Sequence, residues 1–144
     1  MRIAIGADHG GFSLKNELVE RLRKAGHEVT DVGATSAEAT DYADFAKPVA
    51  LGVAAGKFER GILICGTGVG MAITANRVKG VRAVNCSDTF TARFSRAHND
   101  SNVLTFGARV VGAGLANDIV DVWLATAFDA AEPRHARRIA KIEA

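Results

Sequence analysis

Five short apolar runs alternate with segments of helical spacing, and this alternation limits the folds open to the chain more than any other feature. The apolar runs cover residues 2–7, 27–32, 61–64, 81–84 and 102–106. The helical segments cover residues 12–25, 42–56, 71–78, 89–97, 115–128 and 134–143. Strands that alternate with helices pair in parallel through right-handed crossovers. We therefore predict a doubly wound α/β sheet of five parallel strands in one domain, residues 1–144.

The composition is that of an ordinary globular protein, with 48% hydrophobic and 24% charged residues. The net charge of +2 is too small to indicate a nucleic acid or an anionic membrane as partner. No apolar run approaches the length that crosses a bilayer. Residues 1–6 lack the apolar stretch and cleavage site of a signal peptide. We therefore expect a cytoplasmic protein whose two cysteines are free thiols.

The third apolar run ends in a loop, Cys65-Gly66-Thr67-Gly68-Val69-Gly70, in which glycine fills every second position from 66. Glycine lets a backbone turn sharply and approach a ligand closely, because it has no Cβ. A helix that starts after the loop would point unpaired N–H groups at a bound anion and favour the thiolate form of the cysteine. The alternative is a tight turn that only packs.

The loop matches none of the common phosphate-binding motifs. A dinucleotide fingerprint needs G-x-G-x-x-G after the first strand, and a P-loop ends in Gly-Lys-Ser/Thr. A cysteine phosphatase loop would need an arginine at Met71. We therefore predict a backbone cradle for an oxyanion beside a thiol. Cys86 is followed by no glycine loop and is predicted to be a small buried residue.

Further polar residues follow the first strand and precede the fifth. Asp8 and His9 are predicted either to contact a ligand or to cap the next helix. Ligands of such sheets bind beyond the carboxyl ends of the strands, where these two residues would join the glycine loop. His98 and Asn99 are either an acid–base pair or part of a solvated loop. They would lie at the opposite edge of their own sheet, and a symmetric dimer would present His98 to a neighbour's site.

The last helical segment carries basic residues. Arg134 and Arg138 are four residues apart and share a helix face, which suits a phosphate dianion or a merely solvated surface. Arg109 is predicted to join the phosphate contacts or to pair with a surface acid. Pro48 lies in the second helical segment, and either the helix starts there, with proline in its first turn, or the helix is kinked there. No set of His, Cys and acidic residues has the spacing of a metal site, so no metal is expected.

Five stretches in the same order resemble the ribose-5-phosphate isomerase B family, which also includes galactose-6-phosphate isomerase subunits. They are residues 6–12, 61–70, 95–100 and 106–112, and Arg134-His135 with Arg138. The resemblance covers essentially the whole chain. It implies a Rossmann-like fold and aldose–ketose isomerisation of a sugar phosphate without metal or cofactor. It also implies a homodimer or dimer of dimers with shared active sites, in which the C-terminal helix reaches the partner.

The resemblance also implies a role for each site residue. Cys65 would move the proton between C2 and C1 of the sugar, while Thr67 and the loop amides stabilise the enediolate. His98 would open the sugar ring with the help of Asp8. Some family members use a glutamate where this chain has Ala75, so Cys65 is the expected base. The implied substrate contacts are Gly66, Gly68, Val69, Gly70, His9, Tyr42, Asn99, Arg109, Arg134 and Arg138.

The substrate and even the class of activity have alternatives. Ribose 5-phosphate is the simplest expectation, and a tetrose or hexose phosphate such as galactose or allose 6-phosphate is the alternative. A non-catalytic module that binds sugar phosphates or nucleotides is disfavoured by Cys65, Thr67 and His98. A cysteine hydrolase or phosphatase is disfavoured by the missing arginine at Met71.

Overall fold

Five parallel strands form one sheet in the computed structural model, which describes residues 1–144. They are β1 (Arg2–Ala7), β2 (Glu28–Asp31), β3 (Arg60–Cys65), β4 (Ala83–Asn85) and β5 (Val103–Gly107). Their order across the sheet is β2-β1-β3-β5-β4. In the central strand, Ile62 pairs with Ile5 on one side and Leu104 on the other. The predicted five-stranded parallel sheet is confirmed.

Six helices cover the sheet. They are α1 (Phe12–Lys24), α2 (Tyr42–Ala54), α3 (Val69–Ala75), α4 (Thr89–Asn99), α5 (Ala113–Ala125) and α6 (Pro133–Glu143), and a 3-10 turn (His9–Gly11) precedes α1. None of these helices is long and apolar enough to cross a membrane.

The core has two parts, one on each face of the sheet. Ile62 and Ile64 belong to the cluster that includes buried residues of α1, α4 and α5. Leu63 and Cys65 belong to the cluster that includes α2 and α3. Successive side chains of a strand point to opposite faces, so residues 62–65 of β3 must all be apolar to fill both clusters. The doubly wound arrangement follows from this continuous apolar run.

Several helix ends differ from the sequence-based expectation. The helix after the glycine loop begins at Val69 rather than at residue 71. α4 continues to Asn99, so His98 and Asn99 lie in its last turn and not in a loop. α2 begins at Tyr42, so the alternative in which Pro48 starts that helix is wrong.

The strand order reverses between β1 and β3, and the loops that follow these two strands touch. The backbone N–H of Asp8 donates to the carbonyl of Ile64 at 3.2 Å. A Cβ added to Gly10 would lie 3.1 Å from the backbone nitrogen of Gly66. Such a reversal leaves a crevice at the carboxyl ends of the strands, and this edge of the sheet carries the glycine loop.

The edge strand β4 is covered by a side chain. Asn76, just after α3, donates from Nδ2 to the carbonyl of Ala83 at 2.9 Å. Its Oδ1 accepts from the N–H of Ala83 at 2.8 Å. The amide therefore occupies both backbone groups that Ala83 turns away from β5.

Candidate functional site

The glycine loop holds the Cys65 thiol against a backbone N–H group. The N–H of Gly68 donates to Sγ of Cys65 at 3.0 Å. Gly68 adopts a left-handed conformation, with φ of +81°, and α3 begins at the next residue. The Thr105 hydroxyl on β5 donates to the carbonyl of Gly68 at 2.9 Å and fixes this turn. The turn thus fixes one backbone N–H group against the Cys65 sulfur.

Most of the other backbone N–H groups of the loop have no hydrogen-bond partner in the chain. The N–H of Val69 donates to the Thr67 hydroxyl at 3.3 Å. The N–H groups of Gly66, Thr67 and Gly70 donate to no group of the chain. The loop therefore has three N–H groups without a partner in the chain, in the same segment whose Gly68 N–H holds the thiol. This arrangement suits an oxyanion that develops next to the sulfur.

Asp8 and His9 form the neighbouring wall of the crevice. Asp8 is buried, and its Oδ1 accepts from the N–H of Gly10 at 2.8 Å. The N–H of His9 donates to the Thr40 hydroxyl at 3.1 Å, and the N–H of Thr40 donates to Nδ1 of His9 at 3.2 Å. Because Nδ1 accepts a hydrogen bond, the neutral ring carries its proton on Nε2 and can donate it to a ligand.

Thr40 is a site residue that the sequence did not reveal. Its hydroxyl accepts from the N–H of His9, while Asp41, the residue before α2, makes no side-chain cap. The two partners are 31 residues apart, so no local pattern could have indicated the pair.

Tyr42 and Arg109 flank the loop. A Cβ added to Gly70 would lie 2.6 Å from Cζ of Tyr42, so the phenol ring packs directly on that backbone. A Cβ added to Gly66 would lie 3.6 Å from Nη1 of Arg109. The Arg109 guanidinium has no acidic partner in the chain, so the alternative of a surface ion pair is wrong.

A second group of predicted site residues lies on α4 and α6. The His98 ring stacks on the His135 ring, with centroids 4.3 Å apart and planes at 17°. His135 is buried, and its Nδ1 has no hydrogen-bond partner. Arg134 and Arg138 are exposed on α6, and Nε of Arg134 lies 3.6 Å from Oε2 of Glu132. Asn99 is exposed beside His98.

The structure does not bring these two groups together within one chain. No hydrogen bond, ion pair or ring contact joins the side chains of His98, Asn99, Arg134 or Arg138 to the glycine loop. α4 starts after β4 and ends before β5, so its last turn lies at the amino ends of the strands. The five surface cavities of a single chain also leave Cys65 and residues 66–70 outside their linings.

Apolar side chains are exposed on the elements that adjoin the loop. They follow three different strands at the carboxyl edge of the sheet and are 49–72% exposed: Val69, Ile73, Phe90 and Val110. No group of three or more His, Cys, Asp and Glu side chains is arranged to hold a metal ion.

The two cysteines differ in their surroundings. Burial, and to a lesser extent the nearby Asp88 carboxylate, raise the pKa of the Cys86 thiol to about 12. Cys86 therefore stays protonated at neutral pH and fits the predicted structural role. Only Cys65 has a backbone N–H directed at its sulfur from a glycine turn.

The chain matches known proteins over nearly its full length. The family described as Ribose/Galactose Isomerase matches residues 3–142. "Ribose-5-phosphate isomerase B" of Escherichia coli (strain K12) is 52% identical over 99% of this chain and 95% of its own length. "D-erythrulose-4-phosphate isomerase" of Pectobacterium atrosepticum is 43% identical over 90% of this chain and 86% of its own length. The solved structure of ribose-5-phosphate isomerase B from Clostridium thermocellum superposes with a TM-score of 0.96 at 51% identity, covering 99% and 95% of the two chains.

Substitution of Gly68 tests how tightly the loop is built. A Cβ at this position would lie 2.2 Å from Oδ1 of Asn85 and 2.8 Å from the backbone of Phe106. Gly80 has a similar φ of +84° but open space around it. We expect Gly80→Ala to lower the free energy of unfolding by about 1–2 kcal/mol, the cost of the left-handed backbone alone. Gly68→Ala should cost at least about 3 kcal/mol, because the clash adds to that cost.

Urea unfolding of both variants measures this difference. Equal losses of stability in the two variants would contradict the tight packing described for the loop.

Proposed function

The chain belongs to the ribose/galactose isomerase family, and we propose that it interconverts ribose 5-phosphate and ribulose 5-phosphate. At the level of the family it is a sugar-phosphate isomerase. The observation that carries the proposal is the Cys65 thiol, held by the N–H of Gly68 in a loop with three further N–H groups that have no partner in the chain. The name of the Escherichia coli relative, at 52% identity, supports the choice of pentose.

The proposed chemical step is a proton transfer at Cys65. The thiolate removes the proton from C2 of the open-chain aldose, and the electrons of that C–H bond form the C1–C2 double bond. The carbonyl oxygen at C1 gains the negative charge of an enediolate. The free amides of the loop, with the Thr67 hydroxyl, donate hydrogen bonds to that oxygen as its charge develops. The proton of the C2 hydroxyl moves to the oxygen at C1, so that the C2 oxygen carries the charge and forms the new carbonyl. Return of the proton from the Cys65 thiol to C1 then gives the ketose and restores the thiolate.

The phosphate is assigned to the basic side chains. His9 offers Nε2–H because Thr40 occupies Nδ1, and Arg109 beside Gly66 has no acidic partner. Arg134 and Arg138 add two guanidinium groups from α6. These contacts hold the phosphate away from C1 and C2, so that its binding energy orients the reacting carbons.

We assign His98 and Asn99 to a second copy of the chain. In one chain they lie on α4 at the opposite edge of the sheet from Cys65. The exposed apolar side chains Val69, Ile73, Phe90 and Val110 offer a surface for that copy. In the resulting homodimer or dimer of dimers, His98 opens the sugar ring with Asp8, and Asn99 contacts a sugar hydroxyl. Tyr42 and Val69 form part of the wall of the shared site.

A tetrose phosphate is the second candidate substrate. The relative from Pectobacterium atrosepticum, at 43% identity, carries the name of a four-carbon isomerase. The proton transfer is the same for four, five or six carbons, so this candidate changes the pocket and not the chemistry.

We also propose that the protein is located in the cytoplasm.

The substrate is tested by relative kcat/KM. We expect kcat/KM for ribose 5-phosphate to exceed that for erythrose 4-phosphate and for allose or galactose 6-phosphate by at least about tenfold, because one misplaced carbon weakens the fit of both ends of the sugar. A higher kcat/KM for any other sugar phosphate would replace ribose 5-phosphate with that compound.

The role of Cys65 is tested by removing its sulfur. We expect Cys65→Ala to lower kcat by about 10³-fold, the usual contribution of a positioned base. Binding of ribose 5-phosphate, measured by calorimetry, should change less than about threefold, because the phosphate contacts remain. Cys86→Ala is the matched control and should keep normal kcat. Normal turnover by the Cys65→Ala variant would contradict the proposed mechanism. So would a wild-type reaction in D₂O that incorporates no deuterium into the sugar.

The shared site is tested by mixing two inactive variants. Cys65→Ala and His98→Ala chains are unfolded and refolded together in equal amounts. Half of the dimers then contain both variants, and one of their two sites has both residues intact. We expect about one quarter of the wild-type activity to return. Activity that stays at the level of the separate variants would show that each chain supplies its own Cys65 and His98.

A further inference from the structure

The last turn of α4 is held by Arg82, a side chain that comes from outside both groups of site residues. Its Nε donates to the carbonyl of Asn99 at 3.0 Å and to the carbonyl of Asp100 at 3.2 Å. Its Nη2 donates to the same Asp100 carbonyl at 3.0 Å. The last carbonyls of a helix have no partner inside the helix and carry its negative dipole end. A guanidinium placed there satisfies them and fixes the turn that bears His98.

The same guanidinium reaches the end of α6. Nη1 of Arg82 donates to Oε1 of Glu143 at 2.6 Å, and only 18% and 29% of these two side chains are exposed. α6 also carries Arg134 and Arg138. Arg82 is therefore bonded at once to the turn that bears His98 and Asn99 and to the helix that bears the two arginines.

The backbone at both ends of this connection is constrained. The N–H of Arg82 donates to Oδ1 of Asn102 at 2.8 Å, which anchors the backbone of Arg82 just before the edge strand β4. Asp100 is the only non-glycine residue with a positive φ, at +45°. Its carboxylate lies between Arg82 and Arg96, with Nη1 of the buried Arg96 2.7 Å from Oδ1. The end of α4 is thus fixed by Arg82 and Arg96, and the His98 ring that it carries packs on the His135 ring.

We propose that Arg82 is a positioning residue of the reaction, which joins the ends of α4 and α6 so that His98 and Asn99 approach the partner's sugar in register with Arg134 and Arg138. This inference rests on the proposed function. It assigns Arg82 no contact with substrate. Its effect passes through the carbonyls of the last turn of α4 and through Glu143.

The two connections of Arg82 are separable by substitution. Arg82→Lys keeps a positive charge near Glu143 but loses the planar fork on the two carbonyls. Glu143→Gln leaves that fork and weakens only the tie to α6. Arg21→Lys is the control, because Arg21 pairs with Asp121 between α1 and α5 and touches no site residue.

The readout is chosen to separate ring opening from proton transfer. Ribulose 5-phosphate cannot close a five-membered ring, because its C5 oxygen carries the phosphate. Deuterium exchange at its C1 in D₂O therefore needs the base but not His98. Turnover of ribose 5-phosphate from its ring form needs both.

We expect Arg82→Lys to lower kcat for ribose 5-phosphate at least about tenfold while C1 exchange stays within about threefold of the wild-type rate, because a small displacement of His98 affects only the ring step. Glu143→Gln should raise KM about three- to tenfold with little change in kcat, because the phosphate contacts loosen. The Arg21→Lys control should match the wild type in all three measurements.

Several results would overturn the inference. If the Arg82→Lys variant slows the turnover of ribose 5-phosphate and the C1 exchange of ribulose 5-phosphate equally, or changes neither rate, Arg82 is left with a role in stability alone. If Arg82→Lys does not fold, an unchanged KM in Glu143→Gln overturns the link to α6. A wild type that neither turns over ribose 5-phosphate nor exchanges C1 would instead refute the proposed function itself, so the two failures are distinct.

Discussion

The hydrogen bond from the N–H of Gly68 to the sulfur of Cys65 is the contact on which the rest of the site depends. It requires a left-handed turn, which glycine adopts without strain. It also requires a closely packed floor, which Thr105 and Asn85 supply from the neighbouring strands. Because this turn brings one N–H back to the thiol, three others are left free. The loop is thus complementary to a charge that appears during a reaction more than to a permanent phosphate.

The fold places the candidate site residues in two groups at opposite edges of the sheet. Parallel strands gather their following loops at one edge, which places Asp8, His9 and Arg109 around Cys65. The same winding sends α4 back across the sheet, so His98 emerges at the other edge. Arg134 and Arg138 of α6 belong to the same group as His98, because the His98 ring stacks on His135 of that helix. A single chain therefore carries two separate groups of candidate site residues, which the proposed dimer would join by symmetry.

The amino-acid sequence predicts structure best where the determining residues are neighbours along the chain. The five strands were placed within one or two residues at most ends, because a strand buried on both faces is a continuous apolar run. Helix ends are harder to predict: α4 continues to Asn99, where Asp100 ends it in a left-handed conformation and Arg82, 17 residues away, binds the carbonyl of Asn99.

Contacts between distant residues explain the remaining differences. Thr40 holds His9 from 31 residues away, which no spacing rule detects. On α6 the apolar Ile142 is 62% exposed, and the residue that the helix buries is His135, whose ring stacks on His98 of α4. The roles of the site residues came from the resemblance to a family and not from spacing alone.

The cover that Asn76 forms on β4 limits how copies of this chain can meet. An edge strand with free N–H and carbonyl groups is a template for adding the strand of another molecule. The amide of Asn76 takes up both groups of Ala83, and so opposes a continuous intermolecular sheet along this edge. Association through the β4 edge is then left to side-chain surfaces, which can be released and re-formed without breaking a β-ladder. This matters for the proposed dimer, because fibrous growth along β4 would remove subunits from the pool able to pair.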